Sequence, residues 1–94
     1  MTRDAIKQLR MLVLEAEASM AANDPSAVLE QVASMRSKVV DVSSVYGEFR
    51  QFWDMALSDF ESWLQAADLA AAHTSLETLR ILLDSLEETL GSNG

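Results

Sequence analysis

Apolar residues recur along most of this chain every three or four positions, which is the spacing of an amphipathic α-helix. Four such stripes follow one another between short breaks in the pattern. Their members are Ile6, Leu9, Leu12, Val13, Ala16 and Met20; then Val28, Val32, Met35, Val39 and Val42; then Phe49, Phe52, Trp53, Ala56, Leu57, Phe60, Trp63 and Leu64; and finally Leu69, Ala72, Leu76, Leu79, Leu83, Leu86 and Leu90. The pattern predicts an all-α protein, an antiparallel up-down-up-down four-helix bundle made of two αα-hairpins. We expect one domain over residues 1–90 and a disordered tail at 91–94.

Two short segments carry the signals of a helix end followed at once by a helix start. In AANDPSAV, Asp24 is a good N-cap and Pro25 suits the first helical position, so one helix should end near Ala22 and the next begin at Pro25. A similar signal lies 44 residues later in LQAADLAAAH, with Asp68 in the place of Asp24. Further matches at this offset are Met11 with Met55, Glu17 with Glu61, Val32 with Leu76, Met35 with Leu79 and Arg36 with Arg80.

The joint between the second and third helices has two interpretations. DVSSVYGEF contains two serines and Gly47, which favours a turn there. The heptad of apolar residues nevertheless continues through this segment from Val32 to Trp63. A single helix over residues 25–67 is therefore the alternative, and it predicts an obligate dimer because a lone rod cannot cover its own apolar faces.

The first helix has a second apolar face, opposite its core stripe. In LRMLVLEAEASMAA, residues off the core stripe also recur at steps of three and four. Monomers rarely leave wide apolar patches in water, so we expect this face to bind another protein or a second copy of the chain. Residues of the third and fourth helices extend the predicted surface. The predicted partner-binding residues are Met11, Leu14, Ala18, Ala21, Met55, Glu77, Ile81, Asp84 and Glu88.

The charge of the chain, −8 in total, is concentrated in its second half. Residues 1–47 have five bases and six acids, whereas residues 48–94 have two bases and nine acids. A field of this sign repels nucleic acid and attracts basic surfaces. Asp84 and Glu88 also lie near a helix C-terminus, where the dipole disfavours negative charge, so a basic partner would account for them.

The sequence predicts a cytoplasmic protein with no membrane contact. It has no apolar run of membrane-spanning length, and its start, MTRDAIKQLR, lacks the apolar stretch of a signal peptide. The absence of cysteine excludes disulfides and thiolate metal sites.

Residues that would support catalysis or cofactor binding are sparse. The single histidine, His73, has no local serine–aspartate arrangement, and the chain has no Glu-x-x-His pair, glycine-rich phosphate loop or calcium loop. We therefore expect no enzyme, no metal site and no cofactor. AAAHTSLETL, around His73, resembles the histidine segment of phosphotransfer domains, which are helical bundles. Those domains place a lysine and a glycine just after the histidine, where Ser75, Leu76 and Glu77 stand here, so phosphotransfer is a disfavoured alternative.

Two longer segments, NDPSAVLEQVASMRSKVVD and EFRQFWDMALSDFESWLQAADLAAA, resemble the haem-binding four-helix b-type cytochromes over about half of the chain. That family binds haem through a methionine near the start of its first helix and a histidine near the end of its fourth. The matching places lie near Leu9 and at Leu90, so neither ligand is present. The resemblance implies a shared bundle architecture and not haem binding.

These observations predict a small acidic protein-interaction module that is not an enzyme. An inhibitor, a neutraliser or a chaperone that docks on a basic protein surface fits the description. The alternative is a homo-oligomeric structural protein, such as a homodimer that associates through its first helix.

Overall fold

The fold was analysed in a computed structural model that describes residues 2–93. It is all-α, and the described residues form no strand. The four helices are α1 (Thr2–Ala21), α2 (Pro25–Lys38), α3 (Gly47–Gln65) and α4 (Leu69–Asn93). The all-helical class and the number of helices predicted from the sequence are confirmed.

The turn after α1 and the turn after α3 have the same structure. Asn23 and Ala67 adopt left-handed φ angles of 61° and 59°. In each turn the N–H of this residue donates to the carbonyl three positions back, and the N–H of the next residue, Asp24 or Asp68, donates five positions back, at 2.9–3.1 Å. This is the Schellman arrangement, which satisfies the last carbonyls of a helix. The two aspartates then cap α2 and α4, accepting from a backbone N–H three residues ahead at 3.2 and 3.1 Å.

The helices α2 and α3 are separate, so the alternative of one helix over residues 25–67 is wrong. Val42 is extended, with φ −74° and ψ 131°, and it interrupts the helix between two short 3₁₀ turns. The Ser43 side chain accepts from the N–H of Val45 and starts the second of these turns. Gly47 has an ordinary helical φ of −57°. The chain therefore changes direction at Val42 and Ser43, and the glycine is not what breaks the helix.

The helices bury their apolar stripes against one another. α3 packs most extensively on α4 and α1 on α2, with further contact between α1 and α4 and between α2 and α3. The largest buried side chains, Trp53 and Phe60, both come from α3. The buried apolar residues of the described chain are Ala5, Ile6, Leu9, Val13, Ala16, Met20, Val28, Val32, Met35, Val39, Val42, Phe49, Trp53, Ala56, Leu57, Phe60, Ala72, Leu76, Leu79, Leu83 and Leu86. Three residues predicted to lie in the core, Phe52, Trp63 and Leu69, are exposed instead.

The buried positions recur at the offset of 44 residues that the sequence indicated. The five buried positions of α2 and the segment after it, Val28, Val32, Met35, Val39 and Val42, are matched by Ala72, Leu76, Leu79, Leu83 and Leu86. In the other two helices the buried pairs are Ala5 with Phe49, Leu9 with Trp53, Val13 with Leu57 and Ala16 with Phe60. The larger member of each of these four pairs belongs to α3, so α3 fills more of the core than α1 does.

Two ion pairs join the halves of the chain in a reciprocal way. Arg36 of α2 lies 3.6 Å from the Glu61 carboxylate of α3, and Arg80 of α4 lies 3.5 Å from that of Glu17 in α1. Each arginine and each glutamate has its counterpart 44 positions along the chain. These side chains are a third to a half exposed, and such pairs contribute at most about 1 kcal/mol each. They indicate that residues 3–38 and 47–82 are two structurally similar halves, whereas residues 39–42 leave the helix and residues 83–86 continue α4.

The predicted tail, residues 91–94, begins within the last helix and extends beyond the described residues. α4 continues through Gly91 to Asn93, and Gly94 lies outside the described residues.

The repeated turn predicts a stabilising substitution at Ala67. A left-handed φ costs an L-residue with a Cβ about 1–2 kcal/mol, and asparagine, which occupies the equivalent position 23, tolerates it better than alanine does. We expect Ala67→Gly to raise the free energy of unfolding by about 0.5–1 kcal/mol after the entropy of glycine is subtracted. Urea unfolding followed by circular dichroism measures this. The matched control is Ala66→Gly at a right-handed position, φ −81°, which should bring no gain. Equal stabilisation by both substitutions would contradict the account.

Candidate partner-binding surfaces

The predicted row on α1 is on the surface. The Met11 side chain is 59% exposed and that of Leu14 is 53% exposed. Ala18 and Ala21 continue the row and are exposed as well. The side chains of this row are therefore accessible to a partner.

Leu14 lies beside the line along which α1 meets α4. Arg10, one turn before it, pairs with α4 residues Asp84 and Glu87, and Glu17, one turn after it, pairs with Arg80. Leu14 is thus an apolar residue between two ion pairs. Ion pairs between α1 and α4 therefore lie on both sides of Leu14 along the helix.

Arg10 changes the interpretation of the acidic residues of α4. Its Nη2 atom donates to Asp84 at 2.7 Å and its Nε atom donates to Glu87 at 3.0 Å. The hydrogen bond to Glu87 and then that to Asp84 raise the pKa of Arg10 above its ordinary value. The carboxylate of Asp84, predicted to contact a partner, is therefore held by a cation of its own chain. Its place near the end of α4 does not require a basic partner.

The other predicted residues of α4 lie on its outer ridge. Glu77, Ile81 and Glu88 are exposed and follow one another at helical spacing, opposite the buried leucines. Neither Glu77 nor Glu88 has an ion-pair partner among residues 3–91, whose side chains the structure describes. Met55, on α3, is exposed too. The predicted residues are all on the surface, but they are spread over α1, α3 and α4 and do not form one patch around α1.

The two halves of the chain provide a comparison for the α1 row. The residues of α3 equivalent to Leu14, Ala18 and Ala21 are Ser58, Ser62 and Gln65, which are also exposed. Position 11 is the exception, since its equivalent is Met55. The fold therefore accepts polar residues at these sites, and the apolar residues of α1 are not required for folding.

A second apolar surface lies in the groove between α3 and α4, and the sequence interpretation missed it. Phe52 is 53% exposed and Trp63 is 41% exposed, although both were predicted to lie in the core. A surface cavity of about 400 Å³ occupies the groove. It is lined by Val45, Tyr46, Glu48, Phe49, Phe52, Leu82, Ser85, Leu86 and Thr89. We call the groove, with Trp63 farther along α3, the α3/α4 seam.

Trp63 belongs to the same side of α3 as Phe52. The two residues are eleven positions apart, which is close to three helical turns. The equivalent of Trp63 in the first half is Ser19, whose hydroxyl accepts from the Gln31 side chain of α2 at 3.1 Å. Position 19 thus faces the neighbouring helix of its half, and by equivalence Trp63 faces α4.

In the groove between α1 and α2, Met11 and Leu12 line one cavity. The part of that groove that corresponds to the cavity between α3 and α4 is polar. It is lined by Asp4, Ala5, Gln8, Lys38 and Asp41. The seam places Glu48, Phe49, Phe52, Leu82 and Ser85 at the equivalent positions. The sequence alone already allowed this comparison. Gln8 and Ser19 lie 44 residues before Phe52 and Trp63, and the polar character of these two residues indicates that both positions lie at the surface.

The exposed threonines of α4 make its surface less polar than the number of their hydroxyl groups indicates. The hydroxyls of Thr74, Thr78 and Thr89 each donate to the backbone carbonyl four residues back, at 3.0–3.2 Å. Their donors are therefore satisfied within the helix and do not need water.

The described residues contain no candidate metal site. They contain no group of three or more histidine, cysteine, aspartate or glutamate residues that would hold a metal ion. His73 is exposed on α4. At the places where the cytochrome resemblance puts the haem ligands, Leu9 is fully buried and Leu90 is partly buried.

None of the described helices combines the length and the apolar character needed to cross a membrane. Comparison of the chain with protein-family models, with curated proteins and with solved structures gives no significant match.

Proposed function

We propose that the protein is a small acidic protein-interaction module, without enzymatic activity, that docks on a basic surface of another protein. It would act as an inhibitor, a neutraliser or a chaperone by covering that surface, and the cytoplasm is the compartment we propose. No cofactor enters the proposal.

The scaffold that we propose for this role is an antiparallel up-down-up-down four-helix bundle made of two αα-hairpins. In support, the ion pairs between α1 and α4 run in opposite directions along the two helices, from Arg10 with Glu87 to Glu17 with Arg80. The most extensive contacts are those of α1 with α2 and of α3 with α4. Such a scaffold presents its outer faces on rigid helices, which limits the entropy lost on binding.

The observation that carries the proposal is the set of unpaired carboxylates in the second half of the chain. Glu48, Asp54, Asp59, Glu77 and Glu88 are all exposed, and none has an ion-pair partner among residues 3–91. The two bases of this half do not pair with them: Arg80 pairs with Glu17 of α1, and Arg50 has no ion-pair partner among residues 3–91. Unpaired like charges favour solubility, but they also raise the rate at which a basic partner is encountered and orient it.

Charge reversal on the outer ridge of α4 tests the proposal. We expect Glu77→Lys with Glu88→Lys to weaken binding of a basic partner about tenfold, or about 1.4 kcal/mol, and salt to weaken wild-type binding. Partners are captured from an extract of the source cells on the immobilised protein, identified by mass spectrometry and then titrated as purified proteins. The control is Glu15→Lys with Glu30→Lys, which changes the net charge equally on the first half. Captured partners that are acidic, or that bind both double variants as they bind the wild type, would refute the proposal.

A second candidate, self-association through α1, is favoured by the exposed apolar row that its α3 equivalents lack. If this is the function, sedimentation equilibrium gives twice the mass of the chain at high concentration, and Leu14→Asp restores the monomer. Leu14 is half exposed, so the substitution should leave the fold intact. Ser58→Asp, at the equivalent position of α3, is the control and should leave the dimer unchanged. A wild-type monomer at about 1 mM, roughly a thousandfold above a micromolar Kd, rules this candidate out.

A further inference from the structure

We propose that the α3/α4 seam binds one amphipathic helix with a basic polar face, supplied by the partner protein. This inference rests on the proposed function and names the surface and the shape of the segment recognised. It places the principal contact on α3 and α4, away from the apolar row of α1.

The seam has anchors of the type that dominate helix-in-groove contacts. Phe52 and Trp63 are half-exposed aromatic residues, and aromatic side chains in a groove contribute more to binding than other residues do. They are separated by about 16 Å along α3, or three turns. Between α3 and α4 the partly buried Leu82 lines the groove beside Phe52. A helix of four to five turns would cover both anchors.

The charges around the seam select a basic partner. Glu48 lines the groove itself and Asp59 lies one turn before Trp63, whereas Glu77 and Glu88 lie about 120–140° around α4 from Leu82, outside the groove. The two bases of this half point elsewhere: Arg80 pairs with Glu17, and Arg50 lies two residues before Phe52, about 200° around the helix axis. An apolar groove with carboxylates along its α3 border is complementary to a helix that has lysines or arginines beside an apolar stripe.

A second copy of this chain fits the seam poorly. A symmetric contact would bring the same carboxylates of two chains together, in a protein of net charge −8. An extended strand also fits poorly, because the backbone hydrogen bonds of α3 and α4 are internal to the helices and offer no free edge. A helix satisfies its own backbone and presents only side chains to the groove.

A titration with synthetic peptides tests the inference. The probe is a peptide of about 18 residues, built from leucine, alanine and lysine, with leucines at helical spacing on one face and lysines on both sides. Its controls are a scrambled peptide of the same composition and an amphipathic peptide with glutamate in place of lysine. Affinity is measured by calorimetry, and Trp63 reports contact with the seam through a blue shift of its fluorescence, since Trp53 is fully buried and does not respond to a surface ligand.

We expect the amphipathic lysine peptide to bind at least about tenfold more tightly than either control and to shift the emission. Phe52→Gln with Trp63→Ser, which installs the residues of positions 8 and 19, should weaken binding at least about tenfold. Gln8→Ala with Ser19→Ala should leave it unchanged. Thermal unfolding of each variant shows that the fold persists, as expected for half-exposed positions.

The outcomes separate this inference from the proposed function. If the amphipathic and scrambled lysine peptides bind equally, or the seam variant binds like the wild type, the seam is refuted while a basic partner still stands. If no lysine peptide binds better than the glutamate peptide at low salt, the seam and the proposed function fail together.

Discussion

Burial of the aromatic stripe of α3 is the interaction on which the rest of the structure depends. Trp53 and Phe60 are fully buried, and Phe49 packs against Trp53 with ring centroids 5.6 Å apart. Side chains of this size account for a large share of the apolar area in a core that 94 residues can build. The equivalent positions of α1 hold smaller residues, such as Ala5 and Ala16, because two large sets would overfill the same interior.

The two halves of the chain share their core positions and differ on their surfaces, and this difference is what points to function. Packing explains why positions 28–42 and 72–86 bury the same members of their stripes. Packing does not explain why one outer groove has Gln8 and Lys38 where the other has Phe52 and Leu82. A fold that accepts polar residues in one groove does not need apolar ones in the other. The exposed aromatic residues of this groove therefore lower the solubility of the protein without being needed for the fold. This is expected for a surface that is covered when the protein is bound.

Much of the fold could be predicted from the sequence, because its strongest signals are local. Asp24 and Asp68 marked two helix starts through their capping chemistry, and apolar spacing assigned most of the core. The spacing of apolar residues was a poor guide in two respects. It could not detect the break at Val42, since an extended residue leaves the heptad intact. It also placed Phe52 and Trp63 inside on their apolar character, although their equivalents 44 residues earlier, Gln8 and Ser19, are polar. The partner of Asp84 was missed because Arg10 is distant in sequence.

The central claim is that partner recognition is carried by one side of the molecule, the side of α3 and α4. Amide chemical-shift mapping by nuclear magnetic resonance, with the unlabelled amphipathic lysine peptide added to labelled protein, tests this most directly. The account predicts that the largest shifts fall on α3 around Phe52 and Trp63 and on α4 from Ser75 to Thr89. The equivalent positions in the first half, residues 8–19 of α1 and residues 31–41, which begin in α2, should be nearly unaffected. Shifts centred on α1, or spread evenly over both halves, would contradict the account.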